Sequence, residues 1–110
     1  MRVELLYFEG CPNWRVAHER LDEALRTVGR SDVVVQQRLV ETPEAAEVLE
    51  FVGSPTIRID GEDPFADGGA RFGLACRVFR TPTGLSGSPT TAQLVEALAS
   101  QKAEPDATRE

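Results

Sequence analysis

The stretch LLYFEGCPNWRVAHERL, residues 5–21, sets a cysteine between an apolar run and a helical pattern. The run VELLYF at 3–8 is apolar and aromatic, which is typical of a buried strand. Pro12 suits the first turn of a helix, because the N–H that proline lacks has no intrahelical partner there. After it, apolar residues recur at helical spacing. The sequence therefore predicts a strand, a tight junction at Cys11 and a helix.

The bulk properties limit the classes of protein that fit. The chain has 110 residues and a net charge of −6, which argues for one domain and against nucleic acid or an anionic membrane surface as a partner. No apolar run is long enough to span a membrane. The first eight residues hold too short an apolar run for a signal peptide, so we expect a cytoplasmic protein. Two cysteines in such a protein are more often reactive or buried than bridged.

The rest of the chain alternates between strand-like and helix-like patterns. Further strands are predicted at 32–40, 55–60 and 76–80, and further helices at 41–53 and 89–100. Thr42 and Pro43 carry the clearest start signal, an N-cap followed by proline. The order β-α-β-α-β-β-α predicts an α/β domain over 1–102, with one four-stranded mixed sheet and helices on both faces. Residues 103–110 are polar and are predicted to form a flexible tail.

Two loops remain ambiguous. The segment 61–75 contains four glycines and has no clean period, and a loop of this length in a compact domain is usually functional. Asp60, Glu62, Asp63 and Asp67 lie in or beside it without calcium-loop spacing, so we expect a solvated turn and no metal. The stretch GLSGS at 84–88 is rich in turn residues, which favours a simple turn. The alternative is that its backbone N–H groups bind a carboxylate, such as that of glutathione.

Two short motifs carry a resemblance to a known fold. Cys11 at the first strand–helix junction and GSPT at 53–56, directly before the third strand, resemble the thioredoxin-like superfamily in its small, glutaredoxin-sized form. The resemblance covers about residues 1–100. The stretches ELLYFEGCPNW, GSPTIRIDGEDPF and CRVFRTPTGLSG are similar to thioredoxin-family proteins of actinobacterial type. The resemblance implies a cis Pro55 next to Cys11, with the Ser54 backbone free to pair with a peptide-like substrate.

The departure from the family pattern is in the redox motif. Where the family has C-x-x-C, this chain has Cys11-Pro12-Asn13-Trp14, so the resolving cysteine is absent. The resemblance then implies monothiol chemistry: Cys11 exchanges with a disulfide, and glutathione or another low-molecular-weight thiol serves as co-substrate without a bound cofactor. The partner is a small thiol or a disulfide-bearing protein. The residues expected to bind substrate are Pro12, Asn13, Trp14, Ser54, Pro55 and Thr56.

Each of the three main candidate residues has a structural alternative. A thiolate at a helix N-terminus is stabilised by free N–H groups, which favours a reactive Cys11 over a small buried residue. Trp14 lies on the apolar helix face, so core packing competes with lining a substrate groove. Cys76, at the start of the predicted fourth strand, is expected about 15 Å from Cys11. A disulfide requires Cα atoms within about 7 Å, so we interpret Cys76 as a buried structural cysteine and as a resolving partner only if 61–75 folds back.

Two other functions stay open on the same residues. The first is a binding module that keeps the fold and has lost catalysis. Trp14 in place of the second cysteine and the lack of a neighbouring base favour it. A carrier or sensor for mercury or another soft metal is the other alternative, because two thiols are suitable ligands for such ions.

Overall fold

The computed structural model describes the backbone of residues 1–66 and 72–109, and side chains as far as residue 100. It is a mixed α/β structure. The elements in chain order are β1 (Val3–Tyr7), α1 (Asn13–Thr27), β2 (Gln36–Leu39), α2 (Pro43–Leu49), β3 (Thr56–Ile59), β4 (Phe79–Thr81), β5 (Gly84–Ser86) and α3 (Thr91–Arg109). Within the described range, no helix is both long enough and apolar enough to cross a bilayer.

The main sheet has three strands in the order β2-β1-β3. β1 runs parallel to β2 and antiparallel to β3, so that Leu5 lies opposite both Gln37 and Ile57. The parallel pair follows from the α1 crossover, because two parallel neighbours cannot be joined by a short hairpin. β2 is an edge strand whose four residues are all exposed.

The prediction of one four-stranded sheet is wrong. In the described parts of the chain, β4 pairs with β5 as a separate antiparallel hairpin and does not join β3. Only residues 82 and 83 separate the two strands, so the hairpin closes a very short loop at a small entropic cost. The chain thus has a fifth strand, within the stretch 84–88 that was predicted as a turn.

Alternation along β1 divides the core into two clusters. Val3 and Leu5 pack with residues of α1 and α3, among them Leu21 and Leu94. Leu6 points the other way and packs with Ala46 of α2. Neighbouring strand residues face opposite sides of a sheet, so the helices lie on both faces, as predicted.

Helix boundaries follow local signals at some ends and not at others. The Thr42 hydroxyl accepts the Ala45 N–H at 3.0 Å, with Pro43 in the first turn, as predicted. α2 then stops at Leu49, before the predicted end at 53, and Glu50 caps it in a left-handed conformation. α3 continues to Arg109, beyond the predicted end at 100, and the flexibility of residues 103–110 stays a prediction.

Candidate functional site

Cys11 lies in the turn between β1 and α1, at the N-terminal end of the helix. Pro12 is the N-cap of α1, and the Cys11 N–H donates to the Phe8 carbonyl at 3.3 Å. The Cys11 residue is fully buried. The first N–H groups of a helix have no intrahelical acceptor, so the sulfur lies where negative charge is stabilised.

Cys11 and Cys76 form a disulfide with a Cα–Cα distance of 5.7 Å across 65 residues of sequence. The predicted separation of about 15 Å rested on placing Cys76 at the start of a strand paired with β3. Cys76 instead precedes β4 and forms an isolated parallel bridge with Ser54. The interpretation of Cys76 as a buried structural cysteine is therefore wrong: it is bridged, and it is exposed.

A short backbone ladder holds Cys76 in this position. The Ser54 N–H donates to the Ala75 carbonyl at 2.7 Å, and the Arg77 N–H donates to the Ser54 carbonyl at 2.9 Å. Gly53 permits the approach, because a Cβ there would lie 3.1 Å from the Ala75 oxygen and its φ is +126°. The expectation of a free Ser54 backbone is thus wrong, since the chain's own segment 75–77 occupies both groups.

The Ser54–Pro55 peptide bond is cis, the form implied by the resemblance. The Ser54 carbonyl oxygen is 3.7 Å from the Cys11 sulfur. The Thr56 hydroxyl donates to the Gly53 carbonyl at 2.6 Å. The Ser54 hydroxyl is buried and has no hydrogen-bond partner among the described residues. These contacts bring Ser54 beside the disulfide, with Pro55 and Thr56 following it into β3.

The polar side chain of Asn13 touches the Cys11 sulfur. Its Nδ2 donates to Cys11 Sγ at 3.5 Å. Gly87, just after β5, packs against Asn13 so closely that an added Cβ would overlap the side-chain amide. The stretch predicted as a turn or carboxylate site therefore fixes the position of Asn13. The sequence predicts a role for Asn13, whereas it marks Gly87 only as part of the turn-rich stretch 84–88 and does not predict its contact with Asn13.

Trp14 packs as a core residue. It is half-buried against the α1–α3 cluster and stacks on Tyr7, with ring centroids 4.3 Å apart. The Arg15 guanidinium lies 5.1 Å from its ring centroid. Of the two interpretations of Trp14, the structure supports packing.

Arg77 anchors the segment that carries Cys76. Its Nη1 donates to Asp63 Oδ2 at 2.7 Å, and its Nη2 donates to the Phe65 carbonyl at 2.7 Å. The Arg77 and Asp63 side chains are only 10% and 13% exposed, so the interpretation of Asp63 as part of a solvated turn is wrong. Asp67 lies outside the described residues. No local pattern marked Arg77, although the unusual length of the 61–75 loop indicated that the loop has a role.

A cavity of about 610 Å³ adjoins this segment. Cys76 lines it and Cys11 is not among its lining residues. Among the described residues, the charged ones that line it are Glu50, Arg58, Asp63 and Arg77. Arg58 is held at the C-terminal end of α2 by donating from Nη2 to the Leu49 and Glu50 carbonyls. Across residues 1–66 and 72–100, no group of three or more His, Cys, Asp or Glu side chains could hold a metal ion.

Comparison with known proteins returned no match to a family model, a curated protein or a solved structure.

Proposed function

We propose that the protein is a thiol–disulfide oxidoreductase of thioredoxin-like fold that works through the Cys11–Cys76 pair. The observation that carries the proposal is the disulfide itself, which joins a cysteine at the start of α1 to one bound beside a cis-proline. Thiolates at helix N-termini are good leaving groups and nucleophiles. Cys76 thus takes the part of the resolving cysteine that the motif at 11–14 lacks.

The arrangement of elements supports the thioredoxin-like part of the proposal. The order β2-β1-β3 has one parallel and one antiparallel neighbour for β1. α1 and α3 share one face of that sheet and α2 covers the other. The cis bond lies immediately before β3. These features agree with the fold that Cys11 and the GSPT motif suggested.

The proposed chemistry is reversible transfer of two electrons and two protons. A thiolate attacks one sulfur of the Cys11–Cys76 disulfide, the S–S bond breaks, and the other cysteine leaves as a thiolate. A second thiol then displaces the first as a disulfide, which leaves the protein with two reduced cysteines. In the opposite direction, the reduced pair converts an external disulfide to two thiols and closes the bridge again.

The test is catalysis of exchange between a dithiol and a small disulfide. We expect Cys11→Ser and Cys76→Ser each to lose nearly all activity, since each removes half of the bridge. Ala75→Ser is the matched control, because it changes a neighbouring exposed position and leaves both sulfurs. Wild type that shows no catalysis while its disulfide stays intact would contradict the proposal and favour the binding-module alternative.

A further inference from the structure

We propose that the sulfur of Cys76, the cysteine that is exposed and lines the 610 Å³ cavity, is the one that an incoming thiol attacks. We propose further that the thiol is a small zwitterion bound in that cavity. This inference rests on the proposed exchange function and assigns its direction and its small-molecule substrate. It reverses the roles that the motif at 11–14 suggests, in which Cys11 meets the substrate.

The two cysteines differ in exposure. Cys11 is 0% exposed, and the Ser54 carbonyl and the Asn13 amide cover it at 3.7 and 3.5 Å. Cys76 is exposed and lines the cavity, whereas Cys11 does not. Because exchange requires the nucleophile to reach a sulfur, access alone favours attack at Cys76.

The same asymmetry suits Cys11 as the leaving group. Attack by RS⁻ on Cys76 Sγ forms a Cys76–S–S–R bond and breaks the Cys11–Cys76 bond, and the electron pair stays on Cys11 Sγ. That thiolate forms at the N-terminus of α1, a helix of 15 residues, with the Asn13 N–H donor already in contact. Leaving groups that are better stabilised as thiolates depart faster.

The charges of the cavity indicate the class of thiol. Asp63 and Arg77 neutralise each other through their ion pair. Glu50 and Arg58 remain, and no ion pair joins their side chains in the part of the chain that the structure describes. Among the described lining residues, the cavity thus offers one carboxylate and one guanidinium outside that ion pair. A small thiol of the amino-acid type, with one ammonium and one carboxylate group, has the complementary charges, and the volume lies in the range of small-ligand sites.

The direction of attack can be mapped on the oxidised wild-type protein. L-Cysteine in excess is mixed with the protein, the reaction is stopped with acid within seconds, and free thiols are blocked before tryptic digestion. Peptides 3–15 and 72–77 separate the two cysteines. We expect the cysteine adduct on peptide 72–77 and a free, blocked thiol on peptide 3–15. An adduct on peptide 3–15 overturns the proposal while exchange itself stands; an intact disulfide with no adduct on either overturns both.

The ligand class is tested by comparing the rate of reduction by L-cysteine with the rate of reduction by neutral 2-mercaptoethanol. Each rate constant is divided by the fraction of that thiol present as thiolate. We expect Arg58→Gln and Glu50→Gln each to slow the reaction with cysteine by about fivefold, as for loss of one partly exposed ion pair, and to leave 2-mercaptoethanol unaffected. Arg58→Lys keeps the charge and should retain most of the rate. Equal rate changes with both thiols would overturn the assignment of a zwitterion.

Discussion

Two buried hydroxyls beside the disulfide differ in whether they are hydrogen-bonded. Thr56 donates to the Gly53 carbonyl, whereas Ser54 Oγ has no partner within the described residues. We expect Thr56→Val to lower the free energy of unfolding by about 1 kcal/mol. Ser54→Ala should leave it unchanged or raise it, because it removes an unpaired buried hydroxyl. Urea unfolding of the oxidised proteins measures both free energies of unfolding. Equal losses in the two variants would contradict the conclusion that only the Thr56 hydroxyl is hydrogen-bonded.

We expect the contact between Asn13 and the Cys11 sulfur to influence the reduction potential of the disulfide. Asn13→Ala removes a donor that stabilises the Cys11 thiolate, so the disulfide should become harder to reduce, by about 15–30 mV. Gly87→Ala should act in the same direction, because its Cβ would displace the Asn13 amide. Gly73→Ala is the matched control, since a Cβ there meets nothing within 4 Å. Equilibration with a thiol buffer measures the potential; no shift in either variant would rule out this role of Asn13.

At the scale of elements, one ion pair fixes the segment 75–77. Arg77 and Asp63 are nearly buried and bonded at 2.7 Å, so losing one partner leaves an uncompensated charge in a poorly solvated place. We expect Arg77→Met to lower the free energy of unfolding by about 2–3 kcal/mol.

The exposed pair between Arg30 and Asp32 is the matched control for that experiment. The Arg30 guanidinium lowers the pKa of Asp32, but the Asp32 side chain is 70% exposed, and solvent screens such pairs. Asp32→Asn should therefore unfold at the same urea concentration as wild type. An Arg77→Met variant as stable as the Asp32→Asn variant would contradict the anchoring role of Arg77.

Elements with local signals were predictable, and pairings between distant segments were not. The Thr42 cap and the Cys11–Pro12 junction depend only on neighbouring residues, and both are confirmed. The position of Cys76 depends on how 75–77 bonds to Ser54, a contact between segments about twenty residues apart with no periodic pattern. Arg77, which forms the ion pair with Asp63, is one arginine among many and has no distinguishing local pattern. The sequence therefore predicted neither the disulfide nor this ion pair.

For the whole molecule, the disulfide closes a large loop. The two cysteines are 65 residues apart, and the chain-entropy relation gives about 4 kcal/mol for a loop of that size. We expect reduction, or the double variant Cys11→Ala and Cys76→Ala, to lower the free energy of unfolding by roughly that amount. Urea unfolding with and without reductant measures it. A change below about 1 kcal/mol would mean that the loop is already constrained in the unfolded state.

The architecture of the whole molecule was predicted in outline. Hydrophobic periodicity and the βαβ rule correctly gave an α/β domain with helices on both faces, because these depend on patterns within each element. The fourth strand was assigned to the wrong sheet. Its apolar residues, such as Phe79, are compatible with pairing to β5 and with pairing to β3, and hydrophobic periodicity does not distinguish these two pairings.

The central claim is that Cys11 and Cys76 form an exchangeable disulfide, and its most direct test is a redox titration. The protein is equilibrated in thiol–disulfide buffers of known potential, and blocked thiols on the two cysteines are counted by mass spectrometry. The account predicts that both cysteines become reduced together in one two-electron transition, at a potential above about −300 mV, the range of exchangeable disulfides. Two independent transitions, or a bridge still closed below that potential, would contradict it.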